Sequence, residues 1–170
     1  MKAVSWNCRG LGRENKVEAI RNIIKTERPD ILLLQEKKMS YVEVLALSQH
    51  FWTINQGFAI NSRGASGGIT TFFASKYEIK TIKQNRHWLL SEFKEKDDTN
   101  ISYVCNVYGP THSRDKKNFW NSLASLKEEM EGKEIIIADD FNATIAQVEK
   151  RGGSIVHDPY GENLEDLITE

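Results

Sequence analysis

The 170-residue sequence contains only two cysteines, Cys8 and Cys105, which lie far apart in the chain. No CxxC pair is present, which disfavours a zinc site, and so few cysteines favour a reducing compartment. No apolar run approaches the roughly 18 residues of a membrane-spanning helix, and the N-terminus does not resemble a signal peptide. We therefore expect a soluble, intracellular protein with no membrane partner.

Neither sign of charge is in excess. The net charge is −1, apolar residues make up 39% and charged residues 28%, as in ordinary soluble globular proteins. Proteins that clamp nucleic acid non-specifically are usually basic, so this balance counts mildly against such a clamp, although a local basic patch is compatible with it. Internal repeats, low-complexity tracts and linkers are also absent, which predicts a single domain over residues 1–170.

Apolar periodicity predicts strand, helix and strand in the N-terminal part. KAVSWNC is predicted as a strand, and the helical spacing in VEAIRNII predicts a helix that Pro29 ends. ILLLQE, which starts at Ile31, predicts a strand that is buried on both faces. A second helix is predicted over residues 40–48, with Ser40 as its N-cap.

The apolar period changes to two after this helix. Five strands are predicted in the segments WTINQGFAI, GGITTFFAS, EIKTIKQ, HWLLSEFKE and NISYVCNVYG. Three isoleucines predict a buried strand from Glu134 to about Asp139, and ENLEDLITE predicts a fourth helix. A third helix is predicted to stop at Gly132, and its core face comprises Phe119, Leu123, Leu126 and Met130. Antiparallel strands with interspersed helices predict an α+β layered sandwich.

Polar side chains follow four of the predicted strands at the point where each strand ends. If these ends share one edge, they form a cleft of amide, carboxylate and phenol groups, which suits a hard cation such as Mg²⁺. Such an ion often takes only one or two carboxylates and leaves positions for water and phosphate. Asp140 could align or deprotonate an attacking water, and Asn142 could donate to a phosphoryl oxygen. The full set is Asn7, Glu36, Tyr108 with Asn106 two residues before it, Asp140 and Asn142.

Each of these residues also has a plainer interpretation. A polar residue after an apolar strand is often just the first loop residue, and Glu36 could lie at a solvated edge. Tyr108 could be a buried ring with a solvated hydroxyl, and Asp140 and Asn142 could form an Asx-type turn. Four strands that end in this way favour the interpretation as a site.

Six motifs follow one another along the chain in this order: SWNCRGLG, RPDILLLQEKKM, GGITTFF, NVYGP, DDFNA and EKRGG. Together they resemble the endonuclease domain of plant LINE-type non-LTR retrotransposons, which belongs to the endonuclease/exonuclease/phosphatase superfamily. The resemblance runs along essentially the whole chain. It implies a four-layer α/β/β/α sandwich, in which two sheets pack face to face with helices outside. It also implies hydrolysis of a DNA phosphodiester that depends on Mg²⁺ (or Mn²⁺), gives a 3′-hydroxyl that primes reverse transcription, and needs no organic cofactor.

The resemblance implies a role for each candidate residue. Asn7 matches the amide at the metal and phosphate site, and Glu36 matches the main metal-binding carboxylate. Tyr108 matches a phosphate-contacting tyrosine. Asp140 matches the residue that orients or deprotonates the water, and Asn142 the residue that stabilises the pentacovalent phosphate.

Two features depart from the family pattern. Asp139 stands where the family usually has glycine, and a second carboxylate would raise the proton affinity of one of the pair, unless Asp139 points to the opposite face of the strand. The family's late Ser-Asp-His motif, which completes the active site, has no counterpart, and the reversed pair His157-Asp158 is interpreted as part of a loop. We therefore expect the domain to be incomplete at its C-terminus and its activity to be weak or absent.

Three functions stay open from the sequence: a DNA-nicking endonuclease, a non-catalytic remnant that binds DNA or protein, and a phosphomonoesterase of the same superfamily. DNA binding needs cations near the site, and Arg9 and Lys37 are the best candidates because each lies within two residues of a site residue. We expect DNA affinity to fall with added salt, and a nuclear location if the chain acts as a retrotransposon endonuclease. The oligomeric state does not follow from the sequence.

Overall fold

The computed structural model describes residues 1–52, 55–61, 67–143 and 159–168. All the strands and helices predicted from the sequence are present in this part of the chain. In chain order they are β1 (Ala3–Asn7), α1 (Glu14–Glu27), β2 (Ile31–Gln35), α2 (Tyr41–Ser48), β3 (Asn55–Ile60), β4 (Ile69–Ala74), β5 (Tyr77–Gln84), β6 (Trp88–Glu95), β7 (Ile101–Tyr108), α3 (Ser113–Glu129), β8 (Ile135–Asp140) and α4 (Gly161–Ile168). The chain divides into two units, which are Met1–Tyr108 with Glu134–Asp139, and Gly109–Lys133 with Asp140–Glu170.

The first sheet of the first unit has the strand order β1-β2-β4-β3. Strand β1 runs parallel to β2, whereas β4 is antiparallel to both β2 and β3. The crossover between the two parallel strands is α1, as a parallel pair requires. Because β1 and β2 run in the same direction, their carboxyl ends meet at one edge, where Asn7 lies opposite Gln35.

Strand β2 is buried on both faces, as predicted from its apolar run. Its residues alternate between two hydrophobic clusters. Leu32 and Leu34 pack in a cluster that also contains Ile20 of α1 and Val44 of α2. Ile31 and Leu33 pack on the other side in a second cluster, with Phe73, Phe93 and Val104. The first unit therefore consists of helices, a first sheet and a second sheet in successive layers.

Local signals explain where the two helices of this unit begin and end. α1 stops at Glu27 because Arg28 adopts a left-handed conformation (φ 46°) immediately before Pro29. α2 starts at a capping box, in which the Ser40 hydroxyl accepts from the Glu43 N–H and the Glu43 carboxylate accepts from the Ser40 N–H. The predicted N-cap at Ser40 is confirmed.

The second sheet has the strand order β5-β6-β7-β8. Strand β8 differs from its prediction, because the isoleucine run was expected to be buried and Ile136 is 43% exposed. Ile135 and Ile137 are partly buried, and Ala138 packs against the cluster between the sheets. The physical reason is position: β8 is the last strand of its sheet among the described residues, so one side of the strand has no neighbouring strand there.

The second unit is built around α3. Its predicted apolar face is confirmed by the burial of Phe119, Leu123 and Leu126, and Trp120 is buried as well. The Trp120 ring stacks on Phe141 with 5.6 Å between ring centroids. The Lys127 ammonium donates a hydrogen bond to a carbonyl of α4, which ties the two helices together.

The architecture is α+β, with two four-stranded sheets and four helices in the described part of the chain. This is the predicted fold class. None of the described helices is both long enough and apolar enough to cross a membrane.

Candidate functional site

Backbone hydrogen bonds continue beyond the ends of β1 and β2. The Cys8 N–H donates to the Gln35 carbonyl (3.0 Å), and the Gly10 N–H donates to the Glu36 carbonyl (2.8 Å). The Leu11 N–H donates to the Lys37 carbonyl (3.1 Å). The segment after Asn7 is therefore held beside the segment that contains Glu36. This pairing brings the amide of one strand end and the carboxylate of the other to the same edge.

A third segment, the glycine pair before β4, joins the same edge. The N–H groups of Lys37 and Lys38 donate to the carbonyls of Gly68 and Gly67, each over 3.2 Å. A Cβ atom placed on Gly67 would lie 3.8 Å from Cε1 of Tyr108, so the phenol ring lies against this glycine. These contacts place three candidate residues at the same end of the first unit, namely Asn7, Glu36 and Tyr108.

A buried pair of amides ties the two sheets together beneath this end. Gln35 Nε2 donates to Asn106 Oδ1 over 2.8 Å, and both side chains are 0% exposed. Gln35 Nε2 also donates to the Ser5 hydroxyl, and Asn106 Nδ2 donates to the Thr70 carbonyl. Asn106 was noted from the sequence and Gln35 was not, although the amide of Gln35 ends the buried run ILLLQ and was the available signal.

Three non-glycine residues around this edge have a left-handed backbone. They are Arg9 (φ 48°), Glu36 (φ 51°) and Lys38 (φ 55°). Residues other than glycine, asparagine and aspartate seldom adopt this backbone conformation. Backbone strain of this kind is often found at functional sites. The backbone hydrogen bonds hold both loops in this strained conformation, which fixes the backbone of Glu36 and of Lys38.

A hydrogen bond and an ion pair orient the side chains of Asn7 and Glu36 at this edge. The Arg9 N–H donates to Asn7 Oδ1 over 2.9 Å, which fixes the orientation of the amide. The Lys38 ammonium lies 3.0 Å from Glu36 Oε1, and these two side chains are 42% and 18% exposed, respectively. The carboxylate is therefore largely withdrawn from solvent and has a cationic partner.

The predicted role of Lys37 requires a correction. It was expected to contact a DNA phosphate, but its side chain is 0% exposed and its ammonium donates to the Met39 carbonyl. Burial lowers the pKa of Lys37 to about 8. The next residue, Lys38, is the lysine at the surface, whereas Arg9 is exposed as a phosphate contact requires.

His87 holds the backbone of Tyr108 in place. The Tyr108 N–H donates to the His87 carbonyl over 2.7 Å, and His87 Nδ1 lies 3.0 Å from the Tyr108 carbonyl oxygen. His87 Nε2 accepts from Arg86 Nε, so the Nδ1 atom carries the proton that is donated to Tyr108. This contact between His87 and Tyr108 was not predicted from the sequence.

Asp140 and Asn142 belong to the second unit, where they form a turn. The Asn142 N–H donates to Asp140 Oδ1 over 3.2 Å, and Asn142 Nδ2 donates to the Gly109 carbonyl over 2.8 Å. The Lys116 ammonium donates to the Asn142 carbonyl, and Asn142 has a left-handed backbone (φ 51°). This is the Asx-type turn considered from the sequence.

Several parts of the sequence prediction lie outside the described residues. They are the side chain of Asp139, the pair His157-Asp158 and the motif EKRGG.

The donor set at this edge fits a hard divalent cation. Glu36 and Asn7 offer carboxylate and amide oxygens, which are ligands that Mg²⁺ accepts, and the carboxylate already attracts a cation in the form of Lys38. Among the described residues no group of three or more His, Cys, Asp or Glu side chains could hold a metal ion. A site here would therefore depend on water or substrate for its other ligands, as is usual for Mg²⁺.

The sequence profile of the Endonuclease/Exonuclease/phosphatase family matches residues 4–155. The chain belongs to this family, which comprises nucleases and phosphatases that generally depend on divalent metal ions. No curated protein sequence matches the chain.

Solved structures share the fold at low sequence identity. The endonuclease domain of TRAS1, a telomere-specific non-LTR retrotransposon, has a TM-score of 0.70 and 13% identity, over 98% of this chain and 68% of that one. The APE2 catalytic domain of Xenopus laevis has a TM-score of 0.71 and 18% identity, over 100% and 68% of the two chains. The 3′ phosphatase NExo from Neisseria, bound to a product DNA hairpin, has a TM-score of 0.71 and 19% identity, over 98% and 71%. The predicted superfamily fold is confirmed, and the chain spans roughly two thirds of the length of these structures.

Proposed function

We propose that this protein is a divalent-metal-dependent endonuclease that nicks DNA, of the type encoded by non-LTR retrotransposons. The observation that supports this proposal is the linkage of Asn7, Glu36 and Tyr108 at one end of the first unit, with Glu36 held in a strained backbone conformation. Similarity in fold to a retrotransposon endonuclease domain and to a structure bound to DNA supports the choice of DNA as substrate.

In this proposal, Glu36 and Asn7 hold the metal ion, for which Mg²⁺ or Mn²⁺ are the candidates. When bound, the ion supplies polarisation of the phosphate and stabilisation of the leaving oxygen. Tyr108 donates a hydrogen bond from its hydroxyl to a phosphate oxygen. Asp140 orients or deprotonates the attacking water, and Asn142 donates an amide hydrogen to a phosphoryl oxygen as negative charge develops there.

DNA binding in this proposal uses the exposed cations near Glu36. Arg9 is the candidate retained from the sequence, and Lys38 replaces the buried Lys37. Because phosphate contacts release counterions, the affinity for DNA should fall steeply as salt is added. An affinity that does not change with salt would contradict this assignment. A retrotransposon endonuclease would work in the nucleus, which imaging of a tagged chain can test.

A plasmid-nicking assay tests the activity. We expect slow conversion of supercoiled DNA to the open circular form with Mg²⁺ or Mn²⁺ but not with EDTA, in keeping with the weak activity expected from the sequence. Glu36→Gln should lower the rate by at least about 100-fold, since loss of even an outer metal contact costs roughly 10- to 100-fold. The matched control is Glu78→Gln, the same change at an exposed position on β5, which should leave the rate unaltered. No nicking at any metal concentration would favour the alternative of a non-catalytic remnant that binds DNA or protein.

A second candidate is phosphomonoester hydrolysis, because the fold is also that of a 3′ phosphatase. Release of inorganic phosphate from an oligonucleotide with a 3′-terminal phosphate would identify this reaction. Nicking without phosphate release supports the endonuclease, whereas phosphate release without nicking would replace it with the phosphatase.

A further inference from the structure

The ion pair between Lys38 and Glu36 joins a lysine to the carboxylate that the proposed function assigns to the metal ion. The Lys38 ammonium lies 3.0 Å from Glu36 Oε1, which is hydrogen-bonding distance. Only 18% of the glutamate side chain is exposed, compared with 42% of the lysine side chain. The ammonium therefore approaches a partly enclosed carboxylate from the solvent side.

The surrounding loop holds this lysine close to Glu36. The Lys38 N–H is bonded to the Gly67 carbonyl, and both members of the ion pair have a left-handed backbone. A Cβ atom placed on Gly10 would lie 3.6 Å from Cδ of Lys38, so the aliphatic part of the lysine passes over this glycine. The backbone of Lys38 is thus fixed, whereas its terminal atoms are at the surface and can move.

A divalent cation at the same carboxylate would face this ammonium at short range. Two positive charges a few ångströms apart repel one another strongly in a partly enclosed site. Because 42% of the lysine side chain is exposed, solvent hydrates the ammonium when it leaves the carboxylate, which limits the cost of breaking the ion pair. We propose that Lys38 is a tethered counter-ion of Glu36, which neutralises the carboxylate before metal binds and is displaced to the substrate phosphate when it does. This inference rests on the proposed function, because it takes Glu36 to be a metal ligand.

Direct metal binding provides the test, with Mn²⁺ titrated calorimetrically into the whole chain in the absence of DNA. Lys38→Met removes the competing charge and should tighten Mn²⁺ binding about threefold to tenfold. Lys38→Arg keeps a cation at the same place and should bind Mn²⁺ like the wild type. Lys80→Met, the same change at an exposed position on β5, is the matched control and should alter nothing. Thermal unfolding in EDTA establishes that each variant is folded.

A second measurement follows the released lysine. With Ca²⁺ or Mn²⁺ present, Lys38→Met should weaken DNA binding, because the displaced ammonium no longer reaches a phosphate. In EDTA the same substitution should have little effect on DNA binding, since the wild-type lysine is then engaged by Glu36. An equal loss of DNA affinity with and without metal would show a simple surface contact and overturn the inference.

The outcomes separate this inference from the proposed function. If Mn²⁺ binds the wild type and Glu36→Gln abolishes binding, but Lys38→Met leaves the affinity unchanged, the counter-ion role is wrong and the metal site stands. If Mn²⁺ binds only to Lys38→Met, the lysine blocks the site and the inference is supported. If Mn²⁺ binds neither protein, or if binding survives Glu36→Gln, the proposed metal site fails and the inference fails with it.

Discussion

Gln35 donates a hydrogen bond of 2.8 Å to Asn106 between the two sheets of the first unit. Each amide lies close in sequence to a candidate site residue, because Gln35 precedes Glu36 and Asn106 lies two residues before Tyr108. The hydrogen bond therefore sets the relative position of two strand ends that come from different sheets. Sheets that pack only through apolar side chains have no such directional contact.

Asn106→Leu removes the acceptor of this hydrogen bond together with the donors to β4. We expect the free energy of unfolding to fall by about 1–3 kcal/mol, because buried polar groups of Gln35 and Thr70 lose their partner. Urea denaturation measures the loss. Asn118→Leu, the same change at an exposed position of α3, is the control and should alter the stability by less than about 0.5 kcal/mol. Equal effects of the two substitutions would mean that the buried amide pair has no structural role.

Gly109 is a position where the backbone of the second unit leaves no room for a side chain. A Cβ atom there would overlap the Phe141 carbonyl oxygen, and the Gly109 N–H donates to the Asp140 carbonyl. Gly109→Ala must push this backbone away from the turn that contains Asn142. We expect a loss of stability of about 1–3 kcal/mol, measured by thermal or urea unfolding.

Gly12→Ala is the control for this substitution, because no atom lies within 4 Å of the added Cβ and Gly12 has no positive φ. It should be close to neutral. If Gly109→Ala is as stable as Gly12→Ala, the tight approach of Phe141 to this glycine is not a feature of the folded protein.

Trp120 provides a similar test inside the second unit. Its ring stacks on Phe141 and contacts Phe119 with 5.1 Å between centroids, while its buried Nε1 has no hydrogen-bond partner among the described residues. Trp120→Ala should cost about 3–5 kcal/mol through the cavity that it creates. Trp120→Phe should cost less than about 1.5 kcal/mol, because it keeps an aromatic ring and removes a buried N–H that is not paired. A larger loss for phenylalanine would indicate that the indole N–H is bonded in solution.

Periodicity predicted the secondary structure because burial in this protein follows the period of each element. Leu32 and Leu34 of β2 face one layer while Ile31 and Leu33 face another, so an uninterrupted apolar run predicts a central strand. The same argument was wrong for Ile136, because the apolar character of a strand does not reveal whether it lies at the edge of its sheet.

The ends of the strands were predictable, but the contacts of their side chains were not. Asn7 and Glu36 follow apolar runs, and the parallel pairing of β1 and β2 brings them to one edge. Lys37 is buried and Lys38 is exposed in a loop where Glu36 and Lys38 have a left-handed backbone, so the strand period does not predict their side-chain environments. The N–H groups of Lys37 and Lys38 in this loop donate to Gly68 and Gly67, which are distant in sequence.

Cys105 gives the pH dependence of stability a specific component. Burial raises the pKa of its thiol from 9.0 to about 12. Between these values the unfolded chain releases the thiol proton and the folded chain keeps it, so a rise in pH favours unfolding. From about pH 8 to about pH 10.5 the wild type should lose about 2 kcal/mol more stability than Cys105→Ala, which has no thiol to titrate. Urea denaturation across this range measures the difference. Ser91→Ala, a change at another buried small polar residue, should keep the wild-type slope. Parallel stability curves for the wild type and Cys105→Ala would mean that Cys105 titrates in the folded protein as it does in the unfolded chain.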